Sequence, residues 1–216
     1  MVKKNITILF LLLFFTTGCF ETTGNPGATF GLKASKYSIH QLQGNERGEV
    51  LLLPTNKNYE GDLVFKTFED YFSQGLLRNG FTVAEDSSTA TYVGFINYGI
   101  VTPSIKTTIV ERTINGKKVL FETGIYPITS TQGKQKIDWL GYNTGMIIFD
   151  RVVEFYLYDL QPEKADQILY SKITSTGQCN QIAALADPLS TFMFKDYPPK
   201  NRKMEEYHDI KLRTEC

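Results

Sequence analysis

Apolar positions recur along this chain with two periods, and the change from one to the other marks its elements. Across residues 62–79, Val64, Phe68, Tyr71, Phe72 and Leu76 fall on one stripe at helical spacing, which predicts an amphipathic helix. Gly75 weakens that helix by about 1 kcal/mol relative to Ala, and Asn79-Gly80 supplies its stop. The stripe is read as core rather than as a partner groove. Elsewhere the period is two. Residues 49–53 (EVLLL) make a short apolar run ended by Pro54, as a buried strand does. Residues 36–42, 81–84 and 91–100 read as further strands, the last two around a polar turn at residues 85–88.

Residues 107–123 carry the strongest local signal. TTIVERTI and KKVLFETG flank Asn115-Gly116. A two-residue Asn-Gly loop suits a type I′ turn, because both central residues need positive φ. That register pairs Ile114 with Lys117, Arg112 with Val119 and Val110 with Phe121 on one face. The other face holds Glu111, Thr113 and Lys118, with Ile109 and Leu120 as apolar exceptions. A hairpin wet on one side is expected at an edge of the sheet or projecting from it. Residues 126–144, rich in Thr, Gly and Lys around Trp139, read as a surface loop.

Residues 146–160 read as one long strand. Ile147, Phe149, Val153, Phe155 and Leu157 share a face, and Asp150, Glu154, Tyr156 and Tyr158 share the other. Arg151 is the odd charge on the apolar face. Residues 161–166 turn the chain, and 167–175 return antiparallel. Asp187 is expected to cap a second helix with Pro188 at its first position. Leu185, Leu189, Phe192 and Met193 form its face, and Pro198-Pro199 stops it. Residues 204–212 add a final edge strand. The expected fold class is α+β: a largely antiparallel sheet with two helices packed on one face, in a single domain.

The start of the chain stands apart from this domain. Lys3 and Lys4 precede an apolar run over residues 6–15. Such a run, as helix, rises roughly 15 Å, against a hydrocarbon core of roughly 30 Å. It therefore reads as a secretory signal peptide. Thr16, Thr17 and Gly18 then lead to Cys19, which resembles the lipobox of bacterial lipoproteins. The resemblance implies a diacylglyceryl thioether on Cys19, cleavage before it and an acylated new N-terminus. Each buried methylene contributes about 0.8 kcal/mol, and two chains already anchor stably. Phe20, rather than Asp, after the cysteine resembles an outer-membrane sorting signal. The expected organisation is a signal peptide at residues 1–18 and a lipidated N-terminus with a flexible, Gly- and Thr-rich linker at 19–34. A periplasmic domain follows at 35–216, with the hairpin and loop inserted at about residues 101–145.

Composition narrows the partners. The 216 residues carry 23 basic and 23 acidic side chains, so removing Lys3 and Lys4 leaves −2. A near-neutral chain has no electrostatic footprint for nucleic acid. An aromatic share of 13% suits a sheet-rich fold. Of the three cysteines, Cys19 is assigned to lipid. Cys179 and Cys216 read either as a disulfide, worth about 3 kcal/mol in the chain-entropy model, or as two separate thiols.

The C-terminal third carries a family likeness. FDRVVEFYLYDL, a turn and YSKITSTG lead into DPLSTFMFKDYPP. This resembles the Gram-negative envelope lipoprotein family numbered 4136 among domains of unknown function. Its pattern has a paired-strand unit ending in Ser-x-Gly, here Ser175 and Gly177. A Pro-Leu helix follows, here Pro188 and Leu189, and closes on aromatic-Pro, here Tyr197-Pro198. The early helix ending in RNGF, with its polar turn and strand, also fits. The resemblance implies an envelope lipoprotein and brings no catalytic residue with it.

Chemical signatures are otherwise missing from the sequence. The two histidines, His40 and His208, lack HxxxH or HExxH spacing. There is no G-x-S-x-G elbow, P-loop or G-x-G-x-x-G. No cofactor and no metal are expected. The leading expectation is a non-enzymatic outer-membrane lipoprotein that contacts other envelope proteins through Asn115, Gly116 and the loop holding Trp139. A first rival is a carrier or sensor of lipid or glycan, with a pocket between helix and sheet. A second is a small hydrolase with His40 or His208 near a serine and a carboxylate.

Overall fold

A computed structural model describes residues 29–38, 47–137, 140–161, 163–195 and 203–211, the first and last segments by their backbone alone. Helix α1 (Leu63–Arg78) forms where the apolar stripe falls. Asp62 starts it: its carboxylate accepts from the N–H of Val64 (2.8 Å) and of Phe65 (3.4 Å), donors that the first turn leaves without a carbonyl. Phe65, Phe68, Phe72 and Leu76 are buried, with Val64 and Tyr71 half-buried at their margin. Gly75 has a packing reason. A Cβ there would lie 2.2 Å from Cδ2 of Phe194, so the glycine admits the aromatic ring.

The strands are β1 (Thr29–Ser38), β2 (Glu49–Pro54), β3 (Thr82–Val83), β4 (Tyr92–Val101), β5 (Lys106–Ile114), β6 (Lys117–Ile125), β7 (Lys134–Ile137), β8 (Asn143–Asp159), β9 (Asp166–Gly177) and β10 (Lys203–Lys211). The main sheet runs β10-β1-β9-β8-β4-β2-β3, and β7 pairs with the start of β8. From β10 to β4 every pairing is antiparallel, whereas β2 is parallel to both β4 and β3. Parallel neighbours need a crossover, and α1 supplies it. Among the described residues the domain is thus mostly sheet with two α-helices.

Three expectations about boundaries are corrected. Residues 29–34, expected in the flexible linker, open β1, which pairs with β9 on one side and β10 on the other; two ladders outweigh a linker-like composition. Within the expected loop at 126–144, residues 134–137 form β7, and β8 already begins at Asn143. Asp187 does not cap the second helix, α2 (Ala186–Met193). A single 3₁₀ turn at Ala183–Leu185 runs straight into it, so the chain is already helical before Asp187. Asp187 instead accepts from Thr191 Oγ1 (3.2 Å) and sits in the first turn, where the helix dipole favours it. The helix's expected face is buried, with Leu185, Leu189, Phe192 and Met193 all in the core.

Two apolar layers flank the sheet. On one side α1 and α2 pack over Val50, Leu52, Ile96, Ile100, Val153, Phe155 and Leu157. On the other, Ile114, Val119 and Phe121 of the β5–β6 hairpin pack over Val93, Phe95, Tyr156 and Tyr158. The hairpin therefore lies across the sheet's second face, correcting the expectation of an edge or projecting hairpin. Its apolar inner face is what drives this, because a lone hairpin cannot hide that face from water. The expected cross-strand pairs at Ile114, Arg112 and Val110 are those observed. Among the described residues, no helix is long and apolar enough to cross a membrane.

Candidate functional site

Strand alternation puts polar residues of neighbouring strands on one rung. Asn97 of β4 is directly opposite Glu154 of β8, and Glu154 is directly opposite Lys172 of β9. Thr55 follows Pro54 at the carboxyl end of β2, beside Ile96 and Asn97. All four side chains lie on the hairpin side of the sheet. A carboxylate buried to 3% exposure costs folding energy unless it is paired and hydrogen-bonded, and here it is both. Oε2 accepts from Asn97 Nδ2 (2.9 Å), and Tyr156 OH lies 3.3 Å from it. Oε1 accepts from Tyr170 OH (2.9 Å) and pairs with Lys172 Nζ (3.1 Å). Thr55 Oγ1 donates to Asn97 Oδ1 (3.0 Å).

The rung also fastens the hairpin. Asn97 Nδ2 reaches Thr123 Oγ1 (2.7 Å) and the Gly124 carbonyl (2.9 Å) on β6. With Glu154 it therefore has more acceptors than its two hydrogens can serve at once. Burial, with the Glu154 charge nearby, pushes the Tyr126 hydroxyl up to about 12. Burial likewise raises Tyr156, Tyr158 and Tyr170, with the Glu154 charge adding to it at Tyr156 and Tyr170. These hydroxyls stay protonated; those of Tyr156 and Tyr170 serve as donors to the carboxylate, and that of Tyr158 donates to the Leu120 carbonyl (3.4 Å).

A cavity of about 360 Å³ opens at the end of the rung. Thr55, Asn97 and Thr123 border it, with the rings of Tyr59 and Tyr126 and the side chains of Val110 and Arg112. The Arg112 guanidinium stands 5.9 Å from the Phe95 ring centroid and is ion-paired with Glu60. The helix–sheet interface, where a pocket was expected for a carrier, is filled instead by Phe68, Phe72, Phe155 and Phe194 in mutual ring contact.

On the helix side Arg151, the odd charge of β8, is buried to 1% exposure. Its Nε donates to Ser175 Oγ (3.0 Å) and its Nη1 to the Cys179 carbonyl (2.9 Å). Burial pulls this guanidinium down to about 10 against the opposing pull of Asp150. Cys179 itself is disulfide-bonded, and no second cysteine falls among the described residues. Cys19, Cys216, Trp139 and His40 lie outside the described residues, and His208 is placed on β10 by its backbone alone.

Asn115 and Gly116 form the hairpin turn at φ +50 and +76. Both are exposed, yet the turn is pinned, since Asn115 Nδ2 donates to the Ser87 carbonyl. Among the described residues no three His, Cys, Asp or Glu side chains converge as a metal site would require. Sequence reading missed the Thr55–Asn97–Glu154–Lys172 rung. The available signal was Asn97, a lone amide inside the apolar run YVGFINYGIV.

No protein-family model and no curated protein matches the chain. The solved structures similar to it at low identity include these two. One is a PDZ domain protein from Parabacteroides distasonis, 8% identical at a TM-score of 0.49, the match covering 84% of this chain and 39% of that one. The other is a PelC dodecamer from Paraburkholderia phytofirmans, 12% identical at a TM-score of 0.37, covering 80% and 99%. The chain thus spans well under half the length of the first, and neither likeness bears on function.

Proposed function

We propose that the chain is a non-enzymatic lipoprotein, anchored in the outer membrane by lipid on Cys19 and facing the periplasm. Its domain serves as an interaction component of an envelope complex, in secretion or transport machinery. Support for the anchor is the basic, apolar and Gly-Cys succession at the start of the chain, together with the family resemblance of the C-terminal third. The α+β class, with both helices on one face of a largely antiparallel sheet, belongs to the same reading. So does pairing of Cys179 with Cys216.

The observation that carries the interaction is the outer face of the β5–β6 hairpin. Ile109 and Leu120 stand there 73% and 55% exposed as diagonal neighbours across the strand pair. The Glu111–Lys118 ion pair (2.8 Å) lies beside them. An apolar centre with a charged rim is the anatomy of a protein contact, and a hairpin that forms its own sheet offers free backbone edges to a partner strand. The test is affinity capture from intact envelopes with wild type and with Ile109→Glu plus Leu120→Glu. Partners lost only in the folded double variant support the contact. An identical partner set removes it. Unchanged size, acyl content and fractionation of a Cys19→Ser protein would remove the anchor.

The cavity favours one second reading, a glycan carrier or sensor. Two tyrosine rings, Asn97, Thr55 and an ion-paired Arg112 offer stacking faces with both donors and acceptors, which suits a sugar better than an acyl chain. Titration with chitobiose should shift amides of β6 and of the turn at Lys57–Tyr59. Silence at millimolar sugar would end this reading.

A further inference from the structure

Register separates β8 into two parts. Its pairing with β9 begins at Phe149 and with β4 at Asp150, each running to Asp159. The preceding residues, 143–148, leave the main sheet and pair with β7 alone. A bulge sets these six residues against the four of β7, so at about 3.3 Å per residue the two-stranded arm extends about 13 Å beyond the core before its end loop. The arm is apolar where it should be polar. Ile137, Leu140, Tyr142, Met146 and Ile147 are exposed by 63%, 57%, 69%, 39% and 51%. A Cβ added at Gly141 or Gly145 would meet nothing within 4 Å.

Direction matters as much as amount. Gln135 is opposite Ile147 and two residues before Ile137, so alternation sets Ile137 and Ile147 on one face and Lys134 and Lys136 on the other, while Met146 lies in the bulge opposite Lys136. An exposed apolar face backed by two lysines is the layout of a segment that lies in a lipid interface. The chemistry of the arm matches that environment. Tyr142 is an amphipathic ring of the kind enriched at the membrane interface. Lys134 at the arm's base and Lys136 further along it are both exposed and suit anionic headgroups. Lys134 is at present held by Asp150 (2.5 Å).

We infer that the β7–β8 arm docks into the headgroup and upper acyl region of a lipid bilayer, as a second membrane contact besides the N-terminal anchor. It rests at the interface and does not span, because its outer backbone edges need water or headgroups as hydrogen-bond partners. A depth of about 5–10 Å satisfies both demands. This inference is independent of the protein contact assigned to the hairpin.

The chain carries a single tryptophan, and in sequence it falls between Ile137 and Leu140. Its emission therefore reports this arm without labelling. The full lipidated chain is reconstituted in phosphatidylethanolamine–phosphatidylglycerol liposomes, with flotation as the separate reading of the anchor. The expected result is a blue-shifted emission that brominated acyl chains quench and iodide does not. Leu140→Glu with Ile147→Glu, both exposed positions that leave the core intact, should return the emission to its water-exposed maximum while flotation stays unchanged. The inference is overturned if floated wild type keeps a water-exposed, iodide-quenched emission. It is equally overturned if the double variant retains the shift, or if protection appears only when envelope proteins are added.

Discussion

On one face of the sheet, α1 and α2 close over Phe68, Phe72, Phe155 and Ile96, with Phe72 touching three other rings. On the other, the β5–β6 hairpin closes over Asn97, Glu154, Tyr156 and Tyr170, joined by hydrogen bonds. Both faces are buried, but the first is held mainly by packed rings, with Arg151 and its partner Ser175 as a polar inclusion at one end. The difference is between a layer fixed by the volume of its side chains and a layer fixed by donors finding their acceptors. The first depends on close packing. The second specifies register, since a one-residue slip of the hairpin would move Thr123 off the rung.

The largest expected effect tests the apolar layer. Phe72→Ala should lower stability by about 3–5 kcal/mol, the cost of an emptied aromatic site in a close-packed core. Urea denaturation measures it, and a loss under 1 kcal/mol would mean that this layer is loosely packed. Glu154→Ala tests the polar layer. It removes the carboxylate that accepts from both Tyr170 and Asn97, at a cost of about 1–3 kcal/mol. Lys172 is partly exposed and can turn to water, which holds the effect below the Phe72 figure. The near-ultraviolet dichroism of the tyrosines should fade while the helical signal persists. If both signals fall together, the two layers are one cooperative unit.

Legibility followed the same division. Period alone revealed α1, because Val64, Phe68, Tyr71, Phe72 and Leu76 face a single environment. Asn115-Gly116 revealed the hairpin register, because only certain residues tolerate that turn. Neither rule could place the hairpin. The alternation of β8 read as one dry face and one polar face, and a polar face looks the same whether it meets water or a hairpin bearing matching donors. The arm was hidden for the opposite reason: Lys134 to Ile137 and Asn143 to Met146 have loop-like composition, and only pairing with each other makes them strands. The parallel β2–β4 pairing needed knowledge of where α1 returns the chain. Gly75 misled outright, since propensity sees a helix weakness where the structure has a seat for Phe194.

Gly75 gives a test by sign. Propensity alone expects Gly75→Ala to stabilise by about 1 kcal/mol. With Phe194 Cδ2 only 2.2 Å from the new methyl position, we expect a net loss of about 1–2 kcal/mol from overpacking. A rise in melting temperature would show that α2 slides aside freely, and the apolar layer would then be less rigid than drawn here.

The smallest effect at neutral pH is the one that discriminates the layers most sharply at high pH. Burial raises Tyr126, Tyr156, Tyr158 and Tyr170 on the hairpin side, and Tyr98 on the helix side, above the ordinary value of 10.0. A folded protein that keeps protons which the unfolded chain releases loses stability as pH rises. The contribution is fully present below pH 10 and declines above it, for Tyr126 up to about 12. Most of these hydroxyls surround Glu154, whose negative charge further opposes a second anion nearby. Alkali should therefore loosen the hairpin before the helices. Hydrogen exchange with increasing pH, corrected for the intrinsic rate, should show β5 and β6 amides losing protection first, together with the rise of phenolate absorbance. Simultaneous loss in α1 would mean that the polar rung does not act as a separate fastening. Tyr170→Phe sharpens the outcome: it removes one of the protected phenols and one donor to Glu154, so the hairpin transition should become shallower without any change in the pH at which α1 unfolds.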